Sequence, residues 1–155
     1  MKYLIILVIF FFNACSMKNY EHTQSKIIII KTEALKFADL GYIRNSKEAV
    51  ELELFVAGKS AFKVSINHLI CTNDGCMSKA AFNAEYLHAK YPDSILQNIL
   101  LAQPIYDKSN FHKREEGFEQ NIETPDVDIF YKVTPNETYF KDRKNKILFK
   151  IKESK

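Results

Sequence analysis

The alternation of apolar and polar side chains over residues 50–67 constrains the fold more than any other feature of this sequence. In residues 50–56 (VELELFV) every second residue is apolar, with Phe55 as the exception, and residues 62–67 (FKVSIN) alternate in the same way. Successive side chains of a β-strand point to opposite faces, so each segment would have one apolar and one polar face. The intervening Ala-Gly-Lys-Ser sequence at residues 57–60 predicts a turn. Together the two segments predict a hairpin in an antiparallel sheet with one dry face and one wet face.

A second apolar surface is predicted after Pro92, where Ile and Leu recur at helical spacing. Side chains three and four residues apart lie on one face of a helix, so this helix would cover the dry face of the hairpin. The two surfaces would enclose either a pocket for an acyl chain or a plain packed core, because both need apolar residues. The residues predicted to line this space are Val50, Leu52, Leu54, Phe62, Val64, Ile66, Ile95, Leu96, Ile99 and Leu100.

The remaining apolar runs predict further strands before and after the hairpin. A β-branched run (KIIIIKT) predicts a buried strand, and residues 34–44 predict an extended segment with a turn at Gly41. Three strands are expected at the C-terminal end, and a turn at residues 142–145 would join the last two. The predicted strand ranges are 26–32, 50–56, 62–67, 127–133, 137–141 and 146–152.

Two helices are predicted between these strands. Ser78 has the side chain of an N-cap for a helix over residues 79–90, which the Tyr91-Pro92 pair would end. A second helix would begin near residue 94, and the polar residues 106–117 predict a loop. The expected fold class is therefore α+β, with a curved antiparallel sheet (an open half-barrel) covered by a broken helix pair.

The first fifteen residues have the pattern of an export signal. Lys2 precedes ten apolar residues at 3–12, and a small residue then leads to Cys15. Ten residues are too few for a helix that crosses a bilayer, which needs about 20, so a secretory signal is indicated. Residues 12–15 (FNAC) resemble the lipobox of bacterial lipoproteins. That resemblance implies cleavage before Cys15 and its acylation with long chains such as palmitate, while a signal peptide without lipid or a buried N-terminal strand are the alternatives.

The predicted organisation is a signal peptide at residues 1–14, a lipidated polar tether at 15–25 and a single α+β domain at 26–155. Cleavage before Cys15 would leave 155 − 14 = 141 residues, enough for one hydrophobic core. The formal net charge of +3 includes Lys2, so the mature chain would carry 3 − 1 = +2. This charge is too balanced to predict binding to nucleic acid. The expected partner is the membrane, reached through the N-terminal lipid.

Two further cysteines flank a turn sequence. Cys71 and Cys76 enclose Thr-Asn-Asp-Gly, and an exported chain meets an oxidising compartment, so a disulfide is expected. By the loop-entropy relation such a bond would add about 2 kcal/mol to stability. The alternative is a zinc site that includes His68 and His88, although the spacing of the four residues matches no common zinc motif.

No residue pattern in the sequence indicates catalysis. No Ser-His-Asp order or closely spaced carboxylate pair stands out, and the six acidic residues within 115–128 lack ligand spacing and predict a solvated rim. We therefore predict a protein that is not an enzyme and that uses neither a cofactor nor a metal.

The C-terminal fifteen residues are strongly basic. Residues 141–155 contain seven Lys or Arg against two acids. Lys146, Leu148, Lys150 and Lys152 would share one face of the last strand. Either these lysines protect an edge strand from aggregation, or they form a patch that faces anionic lipid or an acidic partner.

The order of these features resembles the outer-membrane lipoprotein receptors of the LolB type. Residues 93–105 (DSILQNILLAQPI) resemble the helical lid segment of that group, and the likeness in element order extends over residues 34–152. The resemblance implies an open, curved antiparallel sheet closed by helices over a cavity that binds the acyl chains of lipids or lipoproteins. The whole chain is also similar to small lipoproteins of epsilonproteobacteria.

Both resemblances imply a location on the periplasmic face of the outer membrane. Ser16, rather than Asp, follows Cys15, which agrees with the outer rather than the inner membrane. The expected function is that of a lipid-anchored protein that binds acyl chains. The alternative is a non-catalytic structural or assembly lipoprotein that docks a periplasmic envelope complex through its exposed surfaces.

Overall fold

The computed structural model describes residues 20–154, which form one antiparallel sheet and two short helices. The predicted signal peptide and Cys15 lie outside the described residues. Helices α1 and α2 span Lys79–Tyr86 and Ile95–Leu100, and a single 3-10 turn spans Tyr106–Lys108. The strands, β1 to β11 in chain order, are His22–Lys31, Lys36–Asn45, Val50–Val56, Lys59–Ile66, Ile70–Thr72, Gly75–Met77, Phe111–Arg114, Gly117–Glu123, Asp128–Thr134, Glu137–Asp142 and Ile147–Glu153.

The strand order across the sheet is β6-β5-β4-β3-β2-β1-β11-β10-β9-β8-β7. Strands that follow each other in the chain pair within each half of the sheet. The halves join where β1 pairs with β11, from Lys26 opposite Glu153 to Lys31 opposite Leu148. Among the described strands, β6 and β7 end the order without pairing with each other, so the sheet is not closed. The predicted α+β class with an antiparallel sheet is confirmed at this level, and the sheet dominates over the helices.

We call the side of the sheet that packs with the helices the inner face, and the opposite side the outer face. Leu52 and Val64 lie opposite each other on the inner face and surround a small cavity together with Phe82 of α1 and Leu96 of α2. Removal of this apolar face from water is the main source of stability. Its buried apolar strand residues are Ile28, Ile30, Ile43, Val50, Leu52, Leu54, Val64, Ile66, Ile70, Ile122, Ile129, Tyr131, Val133, Phe140, Ile147, Phe149 and Ile151.

The predicted hairpin forms as β3 and β4, with Val50 opposite Ile66. Phe55, the exception in the alternation, lies at a register shift that follows Leu54. Such an irregularity changes which way the following residues point. Val56 therefore does not join the apolar face as predicted, and it is 54% exposed beside the turn.

The turn predicted at Gly41 is wrong, because Gly41 lies inside the continuous strand β2, opposite Lys26 and Leu54. A Cβ built on Gly41 would lie 2.7 Å from Ile28 Cδ1 and 2.9 Å from the Glu53 carbonyl oxygen. Close approach of neighbouring strands and side chains, rather than a turn, therefore requires glycine at this position.

The N-terminal strand is longer, and the C-terminal strand more central, than the sequence predicted. β1 begins at His22, so it includes residues 22–25 of the segment expected to be a tether. The interpretation of β11 as an edge strand is wrong, since β11 has β1 on one side and β10 on the other. Its lysines therefore do not protect an edge.

The loop predicted over residues 106–117 contains regular structure. Tyr106, Asp107 and Lys108 form the 3-10 turn with left-handed backbone angles (φ 46°, 50° and 63°). The segment continues as β7, which pairs with β8 across a turn at residues 115–116. All four residues of β7 are exposed, so no apolar alternation marks this strand in the sequence.

The first helix begins as predicted and ends early. The Ser78 hydroxyl accepts a hydrogen bond from the Ala81 N–H at 3.1 Å, which makes Ser78 the N-cap of α1. The helix ends at Tyr86 rather than at residue 90. The buried Asn83 side chain donates to the carbonyl groups of residues 91 and 92 at 3.2 and 3.1 Å, which holds the connection to α2 against α1.

Candidate binding cleft and apolar interior

The ten residues predicted to line an acyl-binding space lie together in the apolar core. Leu52, Phe62, Val64 and Leu96 line a cavity of about 20 Å³ between the inner face and the helices. This volume is close to the room that one water molecule needs and far below the roughly 300–1,000 Å³ of a ligand pocket. Binding of an acyl chain there stays a prediction. The other six, which are buried in the same core, are Val50, Leu54, Ile66, Ile95, Ile99 and Leu100.

A larger cleft of about 540 Å³ opens at the end of the sheet where β1 and β10 begin and β2 and β11 end. Its apolar lining includes Ile43 and Ile151 from the inner face and Leu100 and Leu101 from the end of α2. Leu100 belongs both to the predicted site and to this cleft, so the cleft borders the core. Its volume lies within the range of small-molecule sites.

The polar lining of the cleft includes the first residues of β1 together with residues of β2, β9, β10 and β11. The Lys26 side chain is 12% exposed and forms a salt bridge with Glu153, its partner across the β1–β11 ladder. His22 and Gln24 also line the cleft, because residues two apart lie on the same side of a strand. The cleft thus has an apolar side that borders the core and a polar side with two ion pairs, Lys26 with Glu153 and Lys152 with Glu137.

Two inner-face side chains tie the segment after α2 to the sheet. The hydroxyl of the buried Tyr131 donates to the Gln103 carbonyl at 3.0 Å. The buried Gln120 side chain accepts from the Ile105 N–H at 2.8 Å and donates to the Ile105 carbonyl at 2.9 Å. These bonds give partners to backbone groups of a segment that lies outside the strands and α-helices. Burial raises the pKa of Tyr131, so its hydroxyl remains a donor at neutral pH.

A buried carboxylate joins the connection between the helices to the β10–β11 turn. Asp142 is fully buried, and it accepts hydrogen bonds from the Tyr91 hydroxyl and the Asn145 side chain, both at 2.7 Å. Backbone N–H groups of residues 128, 144 and 145 also donate to it. Burial alone would raise the pKa of Asp142, but these hydrogen bonds outweigh it and leave the pKa below its ordinary value. Asp142 is thus a stably ionised structural acceptor.

The hydroxyl of Tyr106, in the left-handed 3-10 turn, is buried and has no hydrogen-bond partner within residues 20–154. Burial, and after it the negative charges of Asp142 and Asp126, raise the pKa of Tyr106 to about 12. The phenol therefore stays protonated at neutral pH, and this arrangement does not indicate an acid–base centre.

Charged side chains on the outer face of β2, β3 and β4 form a second network. Glu51 is 3% exposed, accepts a hydrogen bond from the Tyr20 hydroxyl at 2.8 Å, and pairs with Arg44 at 2.9 Å and Lys63 at 3.1 Å. Arg44 also pairs with Glu53 at 2.7 Å. Burial alone would raise the pKa of Glu51, but Tyr20, Lys63 and Arg44 lower it below its ordinary value. Two acids face two bases here, and the network fixes Tyr20, the first described residue, on the sheet.

The predicted disulfide between Cys71 and Cys76 is present, with an S–S distance of 2.09 Å, and it joins opposed residues of β5 and β6. Bonded sulfurs cannot act as thiolate ligands, which removes two ligands from the zinc alternative with His68 and His88. Within residues 20–154, no three His, Cys, Asp or Glu side chains come together in a way that could hold a metal ion.

The membrane attachment predicted at Cys15 lies outside the described residues and stays a prediction. Within residues 20–154, none of the helices has the length and apolar character that crossing a membrane requires. No family model, curated protein or solved structure matches this chain.

The polar residues of the cleft are missing from the set predicted from the sequence. His22 and Gln24 belong to a segment of β1 that is polar on both faces and therefore reads as a tether. Their position in the sequence could have indicated that they belong to the strand. They directly precede the apolar run that forms the rest of β1, so the strand could extend toward them.

Proposed function

We propose that this chain is a bacterial lipoprotein on the periplasmic face of the outer membrane that binds the acyl chains of lipids or lipoproteins and catalyses no reaction. The observation that carries the proposal is the cleft of about 540 Å³, whose apolar side continues into the core between the unclosed sheet and the helices. A sheet curved into an open half-barrel, with the broken helix pair as its cover, is the arrangement that the LolB-type resemblance implies.

The mixed lining of the cleft favours an amphiphile as the ligand. Lys26 and Glu153 would meet a polar head group, while Leu100 and Leu101 would contact the chain that follows it. Each buried methylene of that chain would contribute about 0.8 kcal/mol. A ligand with an apolar chain and a polar end therefore matches both sides of the cleft.

A long acyl chain would require movement of the second helix. The interior cavity of about 20 Å³ is too small for a chain, so a ligand that extends beyond the cleft would displace α2 from the inner face. The hydrogen bonds from Tyr131 and Gln120 to the segment after α2 would resist that displacement.

The position of Tyr20 supports a cleft that lies close to a membrane. The Tyr20 hydroxyl donates a hydrogen bond to Glu51. Strand β1 begins two residues later, and its residues His22 and Gln24 line the cleft. Cys15 precedes Tyr20 by 20 − 15 = 5 residues, a span of at most about 18 Å. An acyl group on Cys15 would therefore keep the cleft near the bilayer surface.

Titration with a fluorescent fatty acid tests acyl binding. We expect saturable binding by the wild type and at least about tenfold weaker binding by Leu101→Glu, which places a carboxylate on the apolar side of the cleft. Val56→Glu, at a position 54% exposed beside the β3–β4 turn, is the matched control and should bind as the wild type does. No saturable binding by the wild type, or equal binding by Leu101→Glu, would contradict the proposal.

Intact-mass analysis of the membrane fraction tests the anchor separately. The native chain should begin at Cys15 and carry acyl groups, and Cys15→Ser should abolish both the processing and the added mass. A mature chain that starts elsewhere and carries no lipid would refute the anchor. Acyl binding in the cleft would then be tested by the fatty-acid titration alone.

A second candidate function is a structural lipoprotein that docks a periplasmic envelope complex. The nearly filled interior supports it, since the cavity among the predicted lining residues measures only about 20 Å³. If the core is fully packed, Leu→Ala substitutions in it should lower the free energy of unfolding by the full amount typical of buried leucines. The wild type should then bind no fatty acid. That combination of results would favour docking over acyl binding.

A further inference from the structure

The outer face of five neighbouring strands, from β2 through β1, β11 and β10 to β9, has a composition that folding alone does not require. Three transverse rows of side chains cross these strands in register, and they contain six lysines and one acid. We call this surface the lysine face. From β2 to β9 the rows are Lys36-Lys31-Leu148-Lys141-Phe130, Ala38-Ile29-Lys150-Tyr139-Lys132 and Leu40-Ile27-Lys152-Glu137-Thr134.

Within residues 20–154, four of the six lysines on the lysine face form no salt bridge, although Lys132 lies opposite Glu119 of β8. Glu137 is shared by Lys150 and Lys152, at 3.4 and 3.5 Å. Lys31 and Lys36 lie directly opposite each other in the β1–β2 ladder, an arrangement that destabilises a sheet. Contact with an external anionic surface would relieve the repulsion within this pair. Within the described residues, the lysines of this face that form no salt bridge are Lys31, Lys36, Lys132 and Lys141.

Apolar and aromatic side chains lie between these lysines. Ile27 and Leu40 are neighbours across the β1–β2 ladder and are 42% and 38% exposed. Lys150 lies over the Tyr139 ring, with its amino nitrogen 5.7 Å from the ring centroid. Lysines, aromatic rings and aliphatic side chains occur together at the membrane–water interface, where lysines meet anionic head groups and rings lie at head-group level.

We propose that the lysine face docks on a bilayer that contains anionic lipid. Five strands at about 4.8 Å spacing make the rows about 19 Å long, so several lipid head groups could contact the face at once. A bilayer suits the face better than an acidic protein does, because the exposed Ile27 and Leu40 adjoin the lysines and would lie among lipid head groups. The inference does not depend on acyl binding in the cleft, and it uses the proposed anchor only as a reason for the chain to be near a membrane.

A single introduced tryptophan tests contact with lipid, because the chain has no tryptophan of its own. Ile27→Trp places the probe on the lysine face, and Phe111→Trp places it on the edge strand β7 as a matched control. The processed full chain is mixed with phosphatidylcholine vesicles, with and without phosphatidylglycerol, and quenching by brominated lipid is measured.

We expect brominated lipid to quench Ile27→Trp only on vesicles with phosphatidylglycerol. This quenching should be lost at about 1 M salt, where the Debye length falls to about 3 Å. Phe111→Trp should show no dependence on the anionic lipid. Adding Lys132→Glu and Lys141→Glu should abolish the quenching of Ile27→Trp, whereas Lys59→Glu with Lys90→Glu, at exposed lysines elsewhere, should leave it intact.

Equal quenching on both kinds of vesicle, no quenching on either, or quenching that survives Lys132→Glu and Lys141→Glu would overturn the proposal. Cosedimentation with the neutral vesicles reports separately whether the chain carries the N-terminal lipid. Failure of the anchor can therefore be distinguished from failure of the lysine face to dock. A chain without lipid would stay in solution with neutral vesicles, while quenching that depends on anionic lipid would still report the lysine face.

Discussion

Leu54→Ala and Leu100→Ala are expected to destabilise the protein by clearly different amounts. The two residues have the same side chain, and they are 0% and 6% exposed. Leu54 is enclosed on the inner face of β3, opposite Phe62 and close to Gly41. Leu100 borders the cleft of about 540 Å³ on one side. The comparison therefore tests whether the cleft reaches the core at Leu100.

The magnitudes follow from the atoms removed and from the space that they leave. Each substitution removes three carbon atoms, which corresponds to about 2.4 kcal/mol at about 0.8 kcal/mol per methylene. At Leu54 the enclosed space becomes a cavity, and the total loss should reach about 4 kcal/mol. At Leu100 the new space merges with the cleft and admits water, so the loss should be about 2 kcal/mol. The difference of about 2 kcal/mol corresponds to roughly 8 °C in melting temperature for a domain of this size.

Urea unfolding followed by circular dichroism measures both free energies, provided that the m-values of the variants agree. Equal losses of about 4 kcal/mol would show that Leu100 is packed as tightly as Leu54, and they would refute a cleft that borders the core. Fatty-acid titration of both variants adds a functional comparison. Leu100→Ala should change the affinity for the fatty acid, whereas Leu54→Ala should leave it unchanged as long as the protein stays folded.

Three further outcomes are expected. Gly41→Ala should lower the free energy of unfolding by about 1–3 kcal/mol, because the new Cβ would lie 2.7 Å from a packed side-chain carbon; an unchanged urea midpoint would contradict this close approach. Asp142→Asn should cost about 1.5–3 kcal/mol, since a carboxylate that accepts several buried hydrogen bonds is replaced by a neutral amide. The folded pKa of Asp142 is lowered, so its contribution is fully present above the ordinary value of 3.8 and is lost as the pH falls through the folded value. The acid-induced loss of stability should therefore be smaller in Asp142→Asn, and an identical pH profile would refute the assignment. Replacing both Cys71 and Cys76 by Ser should cost about 2 kcal/mol in thermal unfolding without reductant, and thiol labelling of the unreduced, denatured wild type should modify neither of them; labelling of both would rule out the bond.

Local chemistry was sufficient to predict the features that depend on neighbouring residues. The alternation over residues 50–67 predicted the β3–β4 hairpin, because the same period decides which side chains are buried. The turn between Cys71 and Cys76 predicted the disulfide, and Ser78 predicted the start of α1. In each case the partners lie within about twenty residues of each other, so the pattern and the contact occur in the same stretch of chain.

Long-range pairing was not predictable in this way. Lys26 lies opposite Glu153 in the β1–β11 ladder, and each strand by itself looks like an ordinary apolar strand. A pattern can show that such strands exist, but it does not identify their neighbours. This is why β11 was interpreted as an edge strand, although it lies near the middle of the sheet. The lysine face depends on the same pairing and so becomes visible only in the folded protein.

Two other errors arose because one residue type serves two structural purposes. Gly41 suits a turn and also a close approach between strands, and the sequence does not distinguish these uses. His22 and Gln24 line the cleft, but polar residues that follow a predicted N-terminal signal also have the composition of a tether. The candidate cleft was therefore hidden, while the apolar core next to it was predicted from its hydrophobic residues.

Photo-crosslinking with a fatty acid that carries a diazirine near the end of its chain tests acyl binding most directly. After irradiation of the full chain, peptide mass spectrometry identifies the labelled residues, and excess unlabelled fatty acid serves as the competitor. We expect competable labelling of Leu100 or Leu101 and of the facing Ile43 or Ile151, which form the apolar side of the cleft. Labelling confined to the outer face, or labelling that the competitor does not reduce, would contradict an acyl-binding function.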